Sequence, residues 1–309
     1  MAYARSYKRS SRYRGKRSVR KVTRRSGGKR RLAKKRAPMA KISRRRILDI
    51  TSTKKKDVMT GWPGGVDGFG TQILQPGLSP DGHTAILWCP TIRRQAQGNA
   101  GKTTSSREAQ EVYYRGLSEK LTIKTSGSNP FRHRRILLTS RGIPDPELVP
   151  PGTYFSGTVD PDSGGGLPDT NNNAGGITAY GRTLNPMQKA AETAMYDYLF
   201  AGYNQADWYD PMSAKVDTKR FKVLSDTTRY FRSGNDAGIF ATRKFWHPFN
   251  QLFTYEDKEF GGRTVSGVYC ADLPNRLGNV FIMDIFEAIP NSTDQIALTS
   301  ESTLYWHER

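Results

Sequence analysis

Acidic residues are missing altogether from the first 46 positions of this 309-residue chain, yet those positions hold 21 of its 49 lysines and arginines. The remaining 28 basic residues are matched by 28 acidic ones, so the whole net charge of +21 belongs to the first 46 residues. A neutral body joined to an arm of that charge points to one polyanionic partner, engaged by the arm. Cysteine is nearly absent. Cys89 and Cys270 each lie inside an apolar run, which excludes a secreted disulfide framework and reads as two buried free thiols. No apolar run approaches the ~20 residues a membrane span requires. The start of the chain lacks the apolar core of a signal peptide, and Val19, Val22 and Leu32 are too scattered for an amphipathic transit peptide. There is no internal repeat, which argues against a propeller or solenoid. The four histidines, His83, His133, His247 and His307, have no cysteine or carboxylate at metal-ligand spacing, so no metal and no cofactor is expected. No nucleophile elbow or paired carboxylates stand out either, and the chain does not read as an enzyme.

The arm, residues 1–45, is a phosphate binder on its physics. Its cations, with Arg46 at the boundary, are Arg5, Lys8, Arg9, Arg12, Arg14, Lys16, Arg17, Arg20, Lys21, Arg24, Arg25, Lys29, Arg30, Arg31, Lys34, Lys35, Arg36, Lys41, Arg44, Arg45 and Arg46. Each one that meets a phosphate releases counterions, giving strong, sequence-tolerant and salt-sensitive binding. Arginine outnumbers lysine 14 to 7, which favours forked contacts to phosphate oxygens. Tyr3, Tyr7 and Tyr13 are interleaved and placed to stack on exposed bases. Lys29, Arg30, Arg31, Lys34, Lys35 and Arg36 form a cluster of the kind read by nuclear import receptors. With like charges so dense and so little apolar surface, the free arm is expected to be disordered.

From residue 46 onward strand signals dominate. The candidates are residues 84–92, 121–125, 135–139, 220–224 with 228–231, 249–255, 267–271, 279–286 and 302–307, rich in aromatic and β-branched residues and separated by Gly, Pro and Asn. Their number and spacing predict an all-β fold, an eight-stranded antiparallel jelly-roll sandwich spanning 46–309. One large excursion interrupts it at about 142–201. Its first part, 142–181, is Gly/Pro/Asn/Asp-rich, and residues 185–201 read as a helix with Pro186 in the first turn. Such an excursion is expected at the ends of the sandwich, with its helix packed on the domain or on a neighbour. The five tryptophans are expected in the core or in subunit contacts.

Two motifs resemble chemical sites without completing them. Ala96 to Thr103 is a loose phosphate-binding loop with Ala in place of the first Gly, and the βαβ rhythm it requires is missing. Asp160 and Asp162 lie in a Gly-rich loop, where solvation is the expected state. Outside the arm, Lys54–Lys56, Arg93–Arg94 and Arg132–Arg135 are further basic clusters that could meet the same polyanion.

Several stretches resemble a known family. The arm running into Ser43-Arg-Arg-Arg-Ile-Leu-Asp-Ile-Thr-Ser-Thr-Lys-Lys-Lys-Asp57, then Arg243-Lys-Phe-Trp-His-Pro248, and Leu304-Tyr-Trp-His-Glu-Arg309 resemble the capsid proteins of genomoviruses. These belong to the circular single-stranded DNA viruses that encode a replication initiator. The resemblance covers the arm, the first strand and the last third, and leaves 140–215 unplaced. It implies a non-enzymatic coat protein that partners with itself, sixty copies in a small T=1 icosahedral shell. It further implies packaging of circular single-stranded DNA, a nuclear phase that uses host import receptors, and no membrane insertion. The alternative expectation is a non-viral nucleic-acid-binding structural protein with a basic tail.

Overall fold

The computed structural model describes residues 50–63, 70–96, 104–154, 156–157 and 180–309. The chain divides into two units, Met1–Ser43 and Arg44–Arg309, and the first lies wholly outside the described residues. Among its described residues the second holds thirteen strands and one long helix. The strands are β1 (Thr53–Trp62), β2 (Gln72–Leu74), β3 (His83–Trp88), β4 (Glu111–Thr125), β5 (Phe131–Ser140), β6 (Ser156–Gly157) and β7 (Tyr180–Thr183). After the helix α1 (Lys189–Leu199) follow β8 (Lys222–Phe231), β9 (Phe240–Thr254), β10 (Lys258–Phe260), β11 (Arg263–Val265), β12 (Asn279–Ala288) and β13 (Ile296–Glu308).

These form an all-β sandwich of mainly antiparallel sheets. The large sheet runs β6-β7-β1-β13-β4-β9, with β2 also on β13, and the small one runs β3-β12-β5-β8. Four long antiparallel pairings organise it: β1 with β13, β3 with β12, β4 with β9 and β5 with β8. The β1–β7 pairing, over Gly61 and Trp62, is parallel.

Strands β3, β12 and β5 of the small sheet are buried on both faces, while its edge strand β8 is largely exposed. Burial on both faces is why β12 reads as a nearly continuous apolar run, interrupted at Asp284, instead of an alternating one. Its Val280, Ile282 and Phe286 face the large sheet, joining Met59, Leu117, Leu121, Phe253, Leu304 and Trp306. Its Phe281, Met283 and Ile285 point the other way, against Met187, Met195, Leu199 and Phe200 of the excursion and Met212 and Phe221 of the segment that leads from it to β8. The expected helix is therefore present and packs on its own domain. It begins at Lys189 with Gln188 as its cap, so Pro186 precedes it and does not sit in its first turn. Burying side chains such as Met195 and Leu199, both fully buried, contributes about 1.5–3 kcal/mol each. The Gly-rich residues 158–179 lie outside the described residues.

Other expectations are corrected. The sheet starts at Thr53, after a helical turn at Ile50–Thr51. The segments 220–224 and 228–231, readable as one strand or a bent pair, form the single strand Lys222–Phe231, whereas 267–271 supply only an isolated bridge, Tyr255 to Cys270. β4, β9 and β13 are each 13 to 15 residues long, far longer than their apolar signals, because their outward faces are polar. Cys89 and Cys270 are buried free thiols, and burial pushes the Cys89 thiol up to about 12. Trp88 and Trp306 fill the core, but Trp246 is 53% exposed.

An ionic cluster sits between the two sheets. Glu119 of β4 binds Arg135 of β5 and, at 3.0 Å, Arg182 of β7. Asp284 of β12 binds Arg182, lies 3.3 Å from Arg135 and 2.7 Å from His133 Nε2. His247 Nε2 of β9 lies 3.9 Å from Glu119. Burial by itself would raise the Asp284 carboxyl, but Arg135 and Arg182 outweigh it and hold the group well below the usual carboxylate range. Taking one partner away leaves a buried charge uncompensated. Glu119→Gln or Asp284→Asn should therefore cost about 3–5 kcal/mol in urea unfolding.

His247 gives a second, pH-dependent prediction. Desolvation, then the Arg135 charge, lowers its pKa to about 4. Below about pH 6.5 the unfolded chain takes up a proton that the folded ring refuses. Stability should thus fall as pH drops from about 6.5 toward 4, by up to about 1.4 kcal/mol per pH unit from this ring. His247→Gln should flatten that part of the urea-midpoint-versus-pH curve, and an unchanged slope would show that the ring is not the cause.

Candidate nucleic-acid interface

Every arm residue assigned to nucleic acid, from Arg5 to Arg46, lies outside the described residues, as do Tyr3, Tyr7, Tyr13 and the import cluster Lys29–Arg36. The described body contributes a surface that sequence reading had not assembled. The excursion covers the far side of the small sheet, whereas the outer face of the large sheet stays open among the described residues.

Strand alternation decides which side chains reach that face. In β1, Lys54, Lys56, Val58 and Thr60 point out, while Lys55 and Met59 point in. Pairing sets Lys54 beside His307 and Lys56 beside Tyr305 of β13. Further along, Glu301 lies beside Lys120 of β4, which lies beside Lys244 of β9. Lys124 is next to Phe240 across the β4–β9 pair, with its ammonium 5.0 Å from the ring centre. Lys54, Lys56, Lys120, Lys124 and Lys244 are all exposed. Glu301 is the one acid among them, 3.4 Å from Lys120 in a solvent-exposed pair that is worth little. Glu111, at the start of β4, is held by Arg276 at 3.0 Å.

Aromatic rings are interleaved with these cations. Trp246 and Tyr305 have ring centres 5.8 Å apart, and Tyr113 and His307 lie 6.2 Å apart. The Trp246 ring lies over Gly116, where any side chain would meet it and the His247 carbonyl. Glycine here lets a large indole lie flat and remain exposed. Cations set among exposed rings supply the two contacts single strands offer: phosphate charge and unstacked base faces.

The three basic clusters read from sequence are divided by the fold. Lys55 is buried between Glu108 and Glu308. Arg93 is buried against Asp57 at 2.6 Å, and Arg134 against Asp226 at 2.6 Å. His133 and Arg135 belong to the inter-sheet cluster. Of these clusters only Lys54 and Lys56 reach the open face. Of the loose phosphate-loop motif Ala96 to Thr103, all but Ala96 lies outside the described residues, as do Asp160 and Asp162. No helix among the described residues is long and apolar enough to cross a membrane. No protein-family model and no curated protein matches the chain.

The open face predicts a measurable contribution to binding. Changing Lys120, Lys124 and Lys244 together to Ala in the full chain should reduce the log–log salt slope of single-stranded DNA binding by about 2. Trp246→Ala should weaken binding by about 1–3 kcal/mol without altering that slope. Fluorescence anisotropy across a salt series reads both.

Proposed function

We propose that this chain is the coat protein of a small virus, assembling sixty copies into a T=1 icosahedral shell that packages circular single-stranded DNA. The observation that carries this reading is the separation of charge. All +21 net charges belong to residues 1–46, and the body they join is an electrically balanced sandwich. A protein that only needed solubility would spread its charge; one that condenses a polyanion concentrates it.

Strand order supports a jelly roll. Take the eight long or central strands in chain order: β1, β3, β4, β5, β8, β9, β12 and β13. First pairs with last, second with seventh, third with sixth and fourth with fifth. Such nesting, with β1-β13-β4-β9 on one sheet and β3-β12-β5-β8 on the other, is what a single long hairpin rolled into a jelly roll would give, and it supports that reading. The other five strands are short additions. The likeness of residues 43–57, 243–248 and 304–309 to genomovirus capsid proteins supports the same reading. In it the arm holds the genome, the lysine-rich sheet face adds a second contact, and the Lys29–Arg36 cluster serves import into the host nucleus, where assembly would occur.

Charge sets the scale of the cargo. Sixty arms would bring about 1,260 positive charges to the packaged strand, matching a genome on the order of one to three thousand nucleotides. Two experiments test the reading. Purified protein should sediment as a particle on the order of 2 MDa and appear as round shells by electron microscopy. Particles formed without residues 2–40 should carry much less nucleic acid by the ratio of absorbance at the nucleic-acid and protein maxima. Equal nucleic-acid content would reject the arm as the packaging element, and a small monodisperse species would reject the shell.

A further inference from the structure

At one end of the small sheet, the strand register lines up three charged or metal-binding side chains in a row. Glu287, near the end of β12, is paired on one side with His83 of β3 and on the other with Arg132 of β5. All three occupy alternate positions that face the excursion. The loop after α1 then brings Asp210 against them. His83 Nε2 lies 3.4 Å from Asp210 Oδ1 and 3.8 Å from Glu287 Oε1, and the three donor atoms lie within 4.8 Å of one another.

His83 is the unusual member. It is 8% exposed, yet neither ring nitrogen has a hydrogen-bond partner. A buried imidazole ordinarily uses at least one nitrogen. The carboxylates, by contrast, are already oriented. Arg132 forks across both oxygens of Glu287 and reaches Asp210 Oδ2 at 3.2 Å. Asp210 Oδ1 also accepts the Met212 backbone N–H at 2.7 Å. On the far side of the ring, His83 Nδ1 lies 3.8 Å from Asp81 Oδ2, and Asp81 is itself held by Lys189 at 2.5 Å.

We propose that His83, Asp210 and Glu287 form a binding site for a divalent transition-metal ion of the zinc class. A tetrahedral ion with bonds of about 2.0–2.1 Å sets its ligand atoms about 3.3 Å apart, near the 3.4 and 3.8 Å that separate His83 Nε2 from the two carboxylates. One imidazole nitrogen with two carboxylate oxygens is a zinc donor set, with water completing the fourth position. Magnesium and calcium, which prefer all-oxygen shells, fit it poorly. Metal on Nε2 fixes the proton on Nδ1, facing the Asp81 carboxylate, as the outer partners of metal-bound histidines usually do. Arg132 takes the same outer role for the two carboxylates and offsets their charge. The ion would tie the loop of residues 201–217, through Asp210, to the ends of β3 and β12. No short sequence motif could have announced the site, because its three ligands come from distant segments and are joined only by sheet register and one loop.

The test uses the full chain with zinc chloride, cobalt chloride and magnesium chloride. Titration calorimetry after chelator treatment should show one zinc equivalent per chain with this site's affinity. Cobalt should give the intense visible absorption of tetrahedral coordination, and magnesium should give no saturable heat. His83→Ala and Asp210→Ala should each lower zinc affinity by about a hundredfold or more, and Asp81→Asn by about tenfold. Whatever its melting temperature in chelator, His83→Ala should lose the zinc-dependent rise that the wild type shows over its own chelator value. In the wild type, zinc should also slow proteolysis within 201–217. No saturable zinc binding by the wild type overturns the proposal, and so does unchanged affinity in His83→Ala. If either alanine variant fails to fold, a wild-type cobalt spectrum that is octahedral, or proteolysis of the loop unaffected by zinc, overturns it equally.

Discussion

The structure turns on charge placed where a sandwich ordinarily has only hydrocarbon. Glu119, Asp284, Arg135 and Arg182 come from four strands in both sheets, and two acids meet two guanidinium groups with His133 and His247 at the margin. Bringing such ions out of water costs several kcal/mol each, and only near-complete pairing offsets it. The gain lies in specificity. A one-residue slip of β4, β5 or β12 would carry its charged member to the opposite face, leaving its partners buried and unpaired. Apolar contacts between the sheets tolerate small shifts; this cluster does not. Arg182 also lies 5.2 Å from the Trp88 ring centre, so the cluster is fastened to the apolar core beside it.

The same physics explains what could be read from the sequence. β12 was legible because both its faces are buried, and Asn279–Phe286 is apolar almost throughout. The two-sheet class and the helix after residue 185 were legible for similar reasons. β1 was not, since Lys54–Lys56 looks like a solvated cluster. In the fold its middle lysine turns inward and is neutralised by Glu108 and Glu308, while its neighbours face out. The first halves of β4 and β9 were equally hidden. Glu119 interrupts the inward apolar pattern of one, and Arg243, Lys244 and Trp246 mask the alternation of the other. The open face escaped notice because its lysines belong to three strands that only the register brings together. The arm's charge, needing no folding to be counted, was the most legible feature of all.

The division of faces has a physical logic. The central strands of the small sheet, β12 and β5, are covered by chain on one side and by the large sheet on the other, and only the edge strand β8 is largely exposed. Among the described residues the large sheet has one covered face and one open face, and the open one carries the lysines and rings. In the shell we propose, the arm would supply long-range charge and this face local stacking to the packaged nucleic acid.

The nested pairing also shapes how the molecule is made. Ser52 and His307 come within 3.4 Å across 255 positions of sequence, and the β1–β13 ladder follows from that meeting. Contacts of such range must close a long loop before they stabilise anything, which places the fold among slow-forming topologies. The innermost pair, β5 with β8, encloses the excursion and has far less chain to close. Order should therefore spread outward from the small sheet, with the large sheet completed last. A ribosome would then have released nearly the whole domain before β1 met its partner, and until then the edge of β4 that awaits β13 would be the chain's most aggregation-prone surface.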